Sequence, residues 1–255
     1  MTDDDALVLL ASDHAEPGRF TVRALGDGVA AGTGPGSGPW KNRKTHPNED
    51  SAVVLRRGDA VVAAVADAHH GKGSGERMAR AFADAASARW PADTDALFEL
   101  LVHAAEASTQ ARVLGDYSES TFVAALVAGS TLHWASVGDS LLVLLRGGSP
   151  ARRVATETSH FAGGATSLHA ARQYLRDAMI VDAGALPLQH NDLVLLASDG
   201  LESDVSGLDI DAAGALLLGE DALLTGVQKL FEIATLPPGG RDNLTVVAVV
   251  NRVRT

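Results

Sequence analysis

Apolar segments of five to eight residues follow one another in this sequence with only short turns between them. Segments 51–55 and 60–66 form one pair, and segments 121–128, 131–137 and 141–146 form a series of three. Strands joined by such short turns pair antiparallel, because a parallel connection needs a crossover of a dozen or more residues. The sequence therefore predicts antiparallel sheets and argues against a doubly wound parallel sheet.

Helical patterns lie outside these strand segments and come mostly in pairs. Two helices separate the hairpin from the three-stranded series, and two more precede the last strand. Helices set apart from antiparallel strands are typical of covering layers in an α+β fold. The predicted helices are 75–89, 93–113, 167–179, 209–218 and 221–234, and the remaining predicted strands are 192–198 and 244–250.

The length and composition fit one folded domain. The chain has 255 residues, of which 46% are hydrophobic and 21% charged, and such proportions are typical of globular proteins. We therefore expect residues 1–255 to form a single domain. Residues 25–47 are rich in glycine and proline and follow the period of neither a strand nor a helix. This segment is predicted to be a flexible loop.

The net charge of −11 excludes general nucleic-acid binding, because contact with phosphates needs clustered cations. It also disfavours anionic membrane surfaces. No segment approaches the 18 apolar residues of a membrane span, and the acidic N-terminus does not resemble a signal peptide. Cysteine is absent, which excludes disulfides, thiolate metal sites and a cysteine nucleophile. We therefore expect a cytoplasmic protein with no nucleic-acid or membrane partner.

An aspartate stands at one end of each of several apolar segments. These residues are Asp50, Asp67, Asp139, Asp199 and Asp242. Aspartate is common in turns because its carboxylate accepts hydrogen bonds from nearby backbone amides. If the strands are neighbours, however, the carboxylates converge and repel one another unless cations lie between them. Oxygen ligands without cysteine suit Mg²⁺ or Mn²⁺, so both turn residues and a divalent-metal site stay open as interpretations.

Segments around these acids resemble, in the same order, the motifs of the metal-dependent protein serine/threonine phosphatases (type 2C, or PPM), especially the bacterial single-domain members. The resemblance covers about residues 48–250. The segments are Asn48-Glu49-Asp50-Ser51, Val65-Ala66-Asp67-Ala68-His69-His70-Gly71, Gly75-Glu76, Ser120-Thr121-Phe122-Val123, Val137-Gly138-Asp139-Ser140, Leu196-Ala197-Ser198-Asp199-Gly200-Leu201 and Arg241-Asp242-Asn243-Leu244-Thr245-Val246.

The resemblance implies an αββα sandwich of four layers, in which two antiparallel sheets are flanked by helices. It also implies two Mg²⁺ or Mn²⁺ ions, and a third that is held more weakly. The implied metal residues are Asp67 as the bridging carboxylate, Ala68 through its carbonyl, Asp199 and Asp242 as direct ligands, Glu49 and Asp50 mostly through water, and Asp139 at the third ion.

The activity implied by the resemblance is hydrolysis of phosphoserine and phosphothreonine by a hydroxide that the two metals activate. His69 matches the general acid that protonates the leaving serine oxygen, and Asp67 matches the central catalytic carboxylate. His70 replaces a glycine of the family's motif. Three roles are open for His70: metal ligand, help in proton transfer, or a side chain that simply faces solvent.

Two departures from the family's pattern bear on the substrate. The arginine that often clamps the substrate phosphate is replaced by Thr45, and the nearby Arg43 or Lys44 could take its place or remain solvated loop cations. Residues 150–190 lack the family's usual motifs, so the segment that shapes substrate choice is expected to be altered.

The expected partners are a phosphorylated protein substrate and a serine/threonine kinase that acts on the same pathway. Two alternatives to a protein phosphatase remain. One is a non-catalytic module that binds phosphoproteins, motivated by the departures above. The other is a phosphatase for small phosphate esters.

Overall fold

A computed structural model of the chain describes residues 5–38, 47–113, 115, 117–163, 167–176, 180–202, 209–220, 222–237 and 239–253. Within these ranges the chain forms two antiparallel sheets with helices on their outer faces. The strands are β1 (Ala6–Leu9), β2 (Thr21–Ala24), β3 (Val29–Gly34), β4 (Asp50–Arg57), β5 (Ala60–His69), β6 (Glu119–Ala128), β7 (Thr131–Val137), β8 (Leu141–Leu145), β9 (Arg152–Arg153), β10 (Asp182–Pro187), β11 (Leu193–Ala197) and β12 (Leu244–Val250).

The first sheet has the strand order β1-β4-β5-β6-β7-β10, and the second has the order β2-β3-β12-β11-β8-β9. Single turns of 3₁₀ helix cover Ala11–His14 and Asp199–Leu201. Among the residues described, no helix combines the length and the apolar character that crossing a bilayer requires. The helices are α1 (Gly73–Ala88), α2 (Thr94–Val113), α3 (Leu168–Leu175), α4 (Ile210–Gly219) and α5 (Leu223–Thr235).

Three buried apolar layers hold the structure together. Side chains of the two sheets pack against each other in the centre. The outer face of the first sheet packs on α1, α2 and α3, and the outer face of the second sheet packs on α4 and α5. The predicted α+β class with four αββα layers is therefore confirmed.

Strand β5 shows how the sequence produces these layers. Val61, Ala63 and Val65 belong to the layer between the sheets, whereas Val62 and Ala64 belong to the layer under the helices. Side chains alternate between the two faces of a strand, so a strand between two layers must be apolar at every position. The continuous apolar run 60–66 therefore indicates a strand between two apolar layers. The observed strand extends three residues further, to His69.

The prediction of a loop over 25–47 is wrong for residues Val29–Gly34, which form the buried strand β3. This strand pairs with β2 and β12. Its small residues show no strand period in the sequence. A Cβ at Gly32 would stand 2.5 Å from Cε2 of Phe231, so glycine makes room for an aromatic ring of α5. Residues 39–46 lie outside the described residues, and the assignment of 1–255 to one domain stays a prediction.

Candidate active site

Aspartates of both sheets come together at one end of the sandwich. Asp50 and Asp67 lie directly opposite each other in the register of β4 and β5. Asp199 follows the end of β11, and Asp242 lies two residues before the start of β12. Because β11 and β12 are antiparallel neighbours, the end of one strand and the start of the other lie at the same edge of the sheet.

Asp139 joins this group from a third direction. It lies in the turn between β7 of the first sheet and β8 of the second. Its Oδ1 atom is shielded from solvent and has no hydrogen-bond partner among the described residues. Buried polar atoms are normally satisfied, so this oxygen is placed to accept an ion or a water molecule.

The carboxylates act on one another electrostatically. Burial raises the pKa of Asp67 well above its ordinary value of 3.8, and the charges of Asp50, Asp199, Asp242 and Asp139 raise this pKa further, in that order. The pKa of Asp199 is also raised, by burial first and then by Asp242 and Asp139. These five carboxyl groups can all be ionised at low cost only if cations lie between them.

The donor atoms of this cleft fit a hard divalent cation. Carboxylate oxygens are the ligands that Mg²⁺ and Mn²⁺ prefer, and the cleft gathers oxygens that repel one another. Within the ranges described, no three acidic or imidazole groups already surround one point as a complete ion site. Small rotations of the side chains around an ion would have to complete the coordination.

Glu49 and Ala68 lie beside the aspartates, and a backbone hydrogen bond joins the two residues. The Oε1 atom of Glu49 accepts a hydrogen bond of 2.8 Å from the amide of Gly71. The carbonyl of Glu49 accepts another, of 3.3 Å, from the amide of Ala68. These bonds tie the turn after β5 to the residue before Asp50. The water-mediated metal contact predicted for Glu49 and the carbonyl ligand predicted for Ala68 stay predictions.

His69 ends β5 next to the acids and is close enough to Asp199 for its charge to lower the pKa of that carboxyl. Its ring meets the ring of Phe161 edge to face, with centroids 4.7 Å apart. Its Nε2 atom is shielded from solvent and has no hydrogen-bond partner among the described residues. His70 is exposed and has a φ of 62°, a left-handed conformation. Its exposure favours the solvent-facing alternative.

Polar side chains connect the two sheets at the same end. The Nδ2 atom of Asn48, just before β4, donates to Thr33 Oγ1 on β3 (3.3 Å), and Asn48 Oδ1 accepts from the Asp50 amide (3.1 Å). Thr33 Oγ1 in turn bonds Thr245 Oγ1 on β12 (2.7 Å). A second link joins Thr121 on β6 to Ser140 before β8, through hydroxyls 2.6 Å apart. These bonds fix one set of acids relative to the other.

Two groups of residues differ from the other candidate site residues. Arg43, Lys44 and Thr45 lie outside the described residues, so the predicted phosphate contact stays a prediction. Thr158 and Phe161, in contrast, reach the cleft but were not predicted. They precede the predicted helix 167–179, in a part of the stretch 150–190 where neither period nor motif is present, and no sequence signal marks them.

Gly200 is packed against the backbone next to Asp242. A Cβ at this position would overlap the carbonyl oxygen of Asn243. We expect Gly200→Ala to lower the free energy of unfolding by about 3 kcal/mol, because backbone must move to admit one methyl group. Gly219→Ala is the matched control, since a Cβ there meets nothing within 4 Å, and it should change stability by about 1 kcal/mol or less. Equal urea midpoints for the two variants would contradict this account.

The chain thus forms a sandwich of two sheets between helices, with carboxylates of both sheets converging beside a histidine. The sequence profile of the protein phosphatase 2C family matches residues 37–216. The chain therefore belongs to the protein phosphatase 2C family of serine/threonine phosphatases. No curated protein sequence gives a significant match.

Solved structures of bacterial phosphatases share the fold. One is the catalytic domain of the serine/threonine phosphatase PstP in complex with two manganese ions: TM-score 0.66, 20% identity, covering 91% of this chain and 99% of that one. The Mycobacterium tuberculosis phosphatase PstP/Ppp has a TM-score of 0.66 at 18% identity, covering 98% and 100%. PppA, described as a regulatory component of the Pseudomonas aeruginosa type VI secretion system, has a TM-score of 0.65 at 23% identity, covering 91% and 100%.

Proposed function

We propose that this chain is an active, divalent-metal-dependent phosphatase that hydrolyses phosphoserine and phosphothreonine in proteins. The observation that carries the proposal is the convergence of five carboxylates from both sheets at one end of the sandwich; burial and then the four neighbouring charges raise the pKa of Asp67 there. A cluster of this kind is costly without cations. The similar structure of PstP, which was obtained with two manganese ions, supports the same use of the cleft.

We further propose which residues hold two Mg²⁺ or Mn²⁺ ions. Bound there, the ions would supply a water molecule of lowered pKa and would offset charge on the phosphoryl oxygens. The proposed ligands are Asp67 between the two ions, the carbonyl of Ala68, Asp199 and Asp242 as direct ligands, Glu49 and Asp50 through water, and Asp139 at a weaker third ion.

His69 is proposed as the general acid. A serine alkoxide is strongly basic and leaves only with a proton, and an imidazole with an ordinary pKa of about 6.5 can donate one near neutral pH. The shielded Nε2 atom without a partner in the described part of the chain supports this role. His69 would thus give its proton to the leaving oxygen, while ions held by Asp67 and its neighbours would offset the negative charge of the phosphoryl group.

The proposals on substrate binding start from the family's pattern. Arg43 or Lys44 is proposed to bind the substrate phosphate, as a two-pronged guanidinium or as a point charge. A phosphorylated protein is the proposed substrate, a serine/threonine kinase the proposed opposing enzyme, and the cytoplasm the proposed location. These follow from the family and not from contacts in the cleft.

The test is hydrolysis of a phosphoserine peptide by the purified chain in Mn²⁺, in Mg²⁺ and in excess EDTA. We expect release of phosphate with either metal and none in EDTA, with activity restored when Mn²⁺ is added back. Peptide binding without hydrolysis would instead indicate the non-catalytic module. Hydrolysis of p-nitrophenyl phosphate with no activity on several phosphopeptides would indicate a phosphatase for small esters.

A further inference from the structure

A short segment crosses the edge of the cleft and is fixed at both ends. We define residues 158–163 as the strap. At one end, the amide of Thr158 donates to the carbonyl of Gly138, and the amide of Gly138 donates to Thr158 Oγ1, both at 2.8 Å. At the other end, Ala162 and Ser120 exchange two backbone hydrogen bonds of 2.8 and 3.0 Å. These hydrogen bonds attach both ends of the strap to the sheets.

Both anchors of the strap belong to the cleft. Gly138 directly precedes Asp139, and Ser120 pairs with Ala68 in the register of β5 and β6. The hydroxyl of Ser120 also donates to the carbonyl of Asp67 at 3.0 Å. The anchors therefore hold the strap next to the residues that carry the carboxylates.

Neighbouring residues of the strap contact different partners. His160 meets Tyr174 of α3 edge to face, with centroids 5.9 Å apart. Phe161 meets His69, with centroids 4.7 Å apart and ring planes 62° apart, which is a favourable aromatic geometry. The imidazole thus lies between its own strand and a ring held by a fixed backbone.

We propose that Phe161 is a positioning residue, whose ring fixes the orientation of the His69 imidazole toward the leaving oxygen of the substrate. The proposal rests on the general-acid role proposed for His69. The second torsion of a histidine side chain is broad. Nε2 has no hydrogen-bond partner among the described residues that would hold it, so the contact with Phe161 supplies the restraint.

The step that this orientation serves is breakage of the bond between phosphorus and the serine oxygen. Water oxygen forms the new bond to phosphorus as the serine oxygen departs with the bonding electron pair. His69 transfers one proton to that oxygen, which leaves as an alcohol, and phosphate is the second product. The proton that the attacking water gives up passes to solvent, from which His69 is protonated again. Misplacing a proton donor by about 1 Å can cost on the order of a hundredfold in rate.

The experiment measures kcat for three esters: a phosphoserine peptide, phenyl phosphate and p-nitrophenyl phosphate. Their leaving groups are progressively less basic, so they need the acid progressively less. We expect Phe161→Ala to lower kcat by about tenfold to a hundredfold on the peptide and by less than about twofold on p-nitrophenyl phosphate, with little change in KM. Equal losses on all three esters would mean a merely structural role and would overturn the proposal.

Three further variants make the result specific. Phe161→Tyr keeps the ring and should retain the wild-type kcat on each ester. A loss in this variant that is largest on the peptide would contradict positioning by the ring. His160→Ala removes the aromatic contact of the neighbouring residue, and any loss of kcat in this variant should be equal on the three esters. His69→Ala tests the general-acid role itself. A loss of kcat that is equal on all three esters in this variant would refute that role. If His69→Ala lowers kcat most on the phosphoserine peptide and least on p-nitrophenyl phosphate, while Phe161→Ala lowers it equally on all three esters, only the positioning role of Phe161 is refuted.

Discussion

Replacing Asp199 by asparagine is expected to abolish metal-dependent phosphatase activity, with a loss of about a thousandfold or more in kcat/KM. A metal ion supplies several kcal/mol of transition-state stabilisation, and each 1.36 kcal/mol corresponds to a factor of ten. Asparagine has nearly the same shape as aspartate but carries no charge, so it weakens the ion site without removing packing. Phosphate release from a phosphoserine peptide at saturating Mn²⁺ measures the loss.

The matched control for Asp199→Asn is Asp59→Asn. Asp59 lies exposed in the turn between β4 and β5, at the end of these strands opposite to Asp50 and Asp67. The same chemical change there should leave kcat/KM within about twofold, as surface substitutions usually do. Comparable activity in the two variants would refute the assignment of Asp199 to the ion site.

Manganese is expected to raise the melting temperature of the EDTA-treated protein by roughly 5–10 °C. A ligand at a hundred times its dissociation constant stabilises the native state by about 2.7 kcal/mol, and a chain of this size gains about 3 °C for each kcal/mol. The ions would also relieve the repulsion that adds to burial in raising the pKa of Asp67. A melting temperature unchanged by Mn²⁺ would contradict the proposed cleft.

Asp67→Asn is expected to raise the melting temperature without metal and to reduce the further rise that Mn²⁺ causes. Without metal, the variant is expected to melt at a higher temperature than the wild type, because it removes a buried charge from among four others. It should also lose most of the stabilisation by Mn²⁺. Asp59→Asn serves again as control and should respond to Mn²⁺ like the wild type.

The advantage of Asp67→Asn without metal should depend on pH. The pKa of Asp67 in the folded protein lies above the ordinary value of 3.8, so the folded state holds this proton where the unfolded state has lost it. The wild type therefore loses stability as pH rises from about 4 through the raised pKa, and the variant does not. The difference in melting temperature in EDTA should grow from pH 5 to pH 8, and a constant difference would argue against a buried, repelled carboxyl.

The strands and the acids could be predicted because each depends on local sequence. The apolar run 60–66 is long enough for a strand and too uniform for a surface element, and β5 indeed has core on both faces. Asp139, Asp199 and Asp242 were identified by their position at strand ends. Their convergence, however, depends on strand order, which the sequence alone does not determine and which the family resemblance supplied.

The parts that could not be predicted depend on contacts between distant residues. Strand β3 looks like a loop until its partner β12 and the ring of Phe231 are in place. The strap takes its conformation from Gly138 and Ser120, roughly 20 and 40 residues away. A segment that is ordered mainly by such distant hydrogen bonds has no periodic pattern of its own.

The division of the carboxylates between two sheets has a consequence for how the chain folds. Asp50 and Asp67 come from the first sheet, and Asp199 and Asp242 from the second. A chain with only one sheet formed therefore holds about half of the donors, and the hydrogen bond from Asn48 to Thr33 forms only when the sheets pack together. The full set of donors forms only when the two sheets pack together, so an ion bound to this set would stabilise the native state and slow its unfolding.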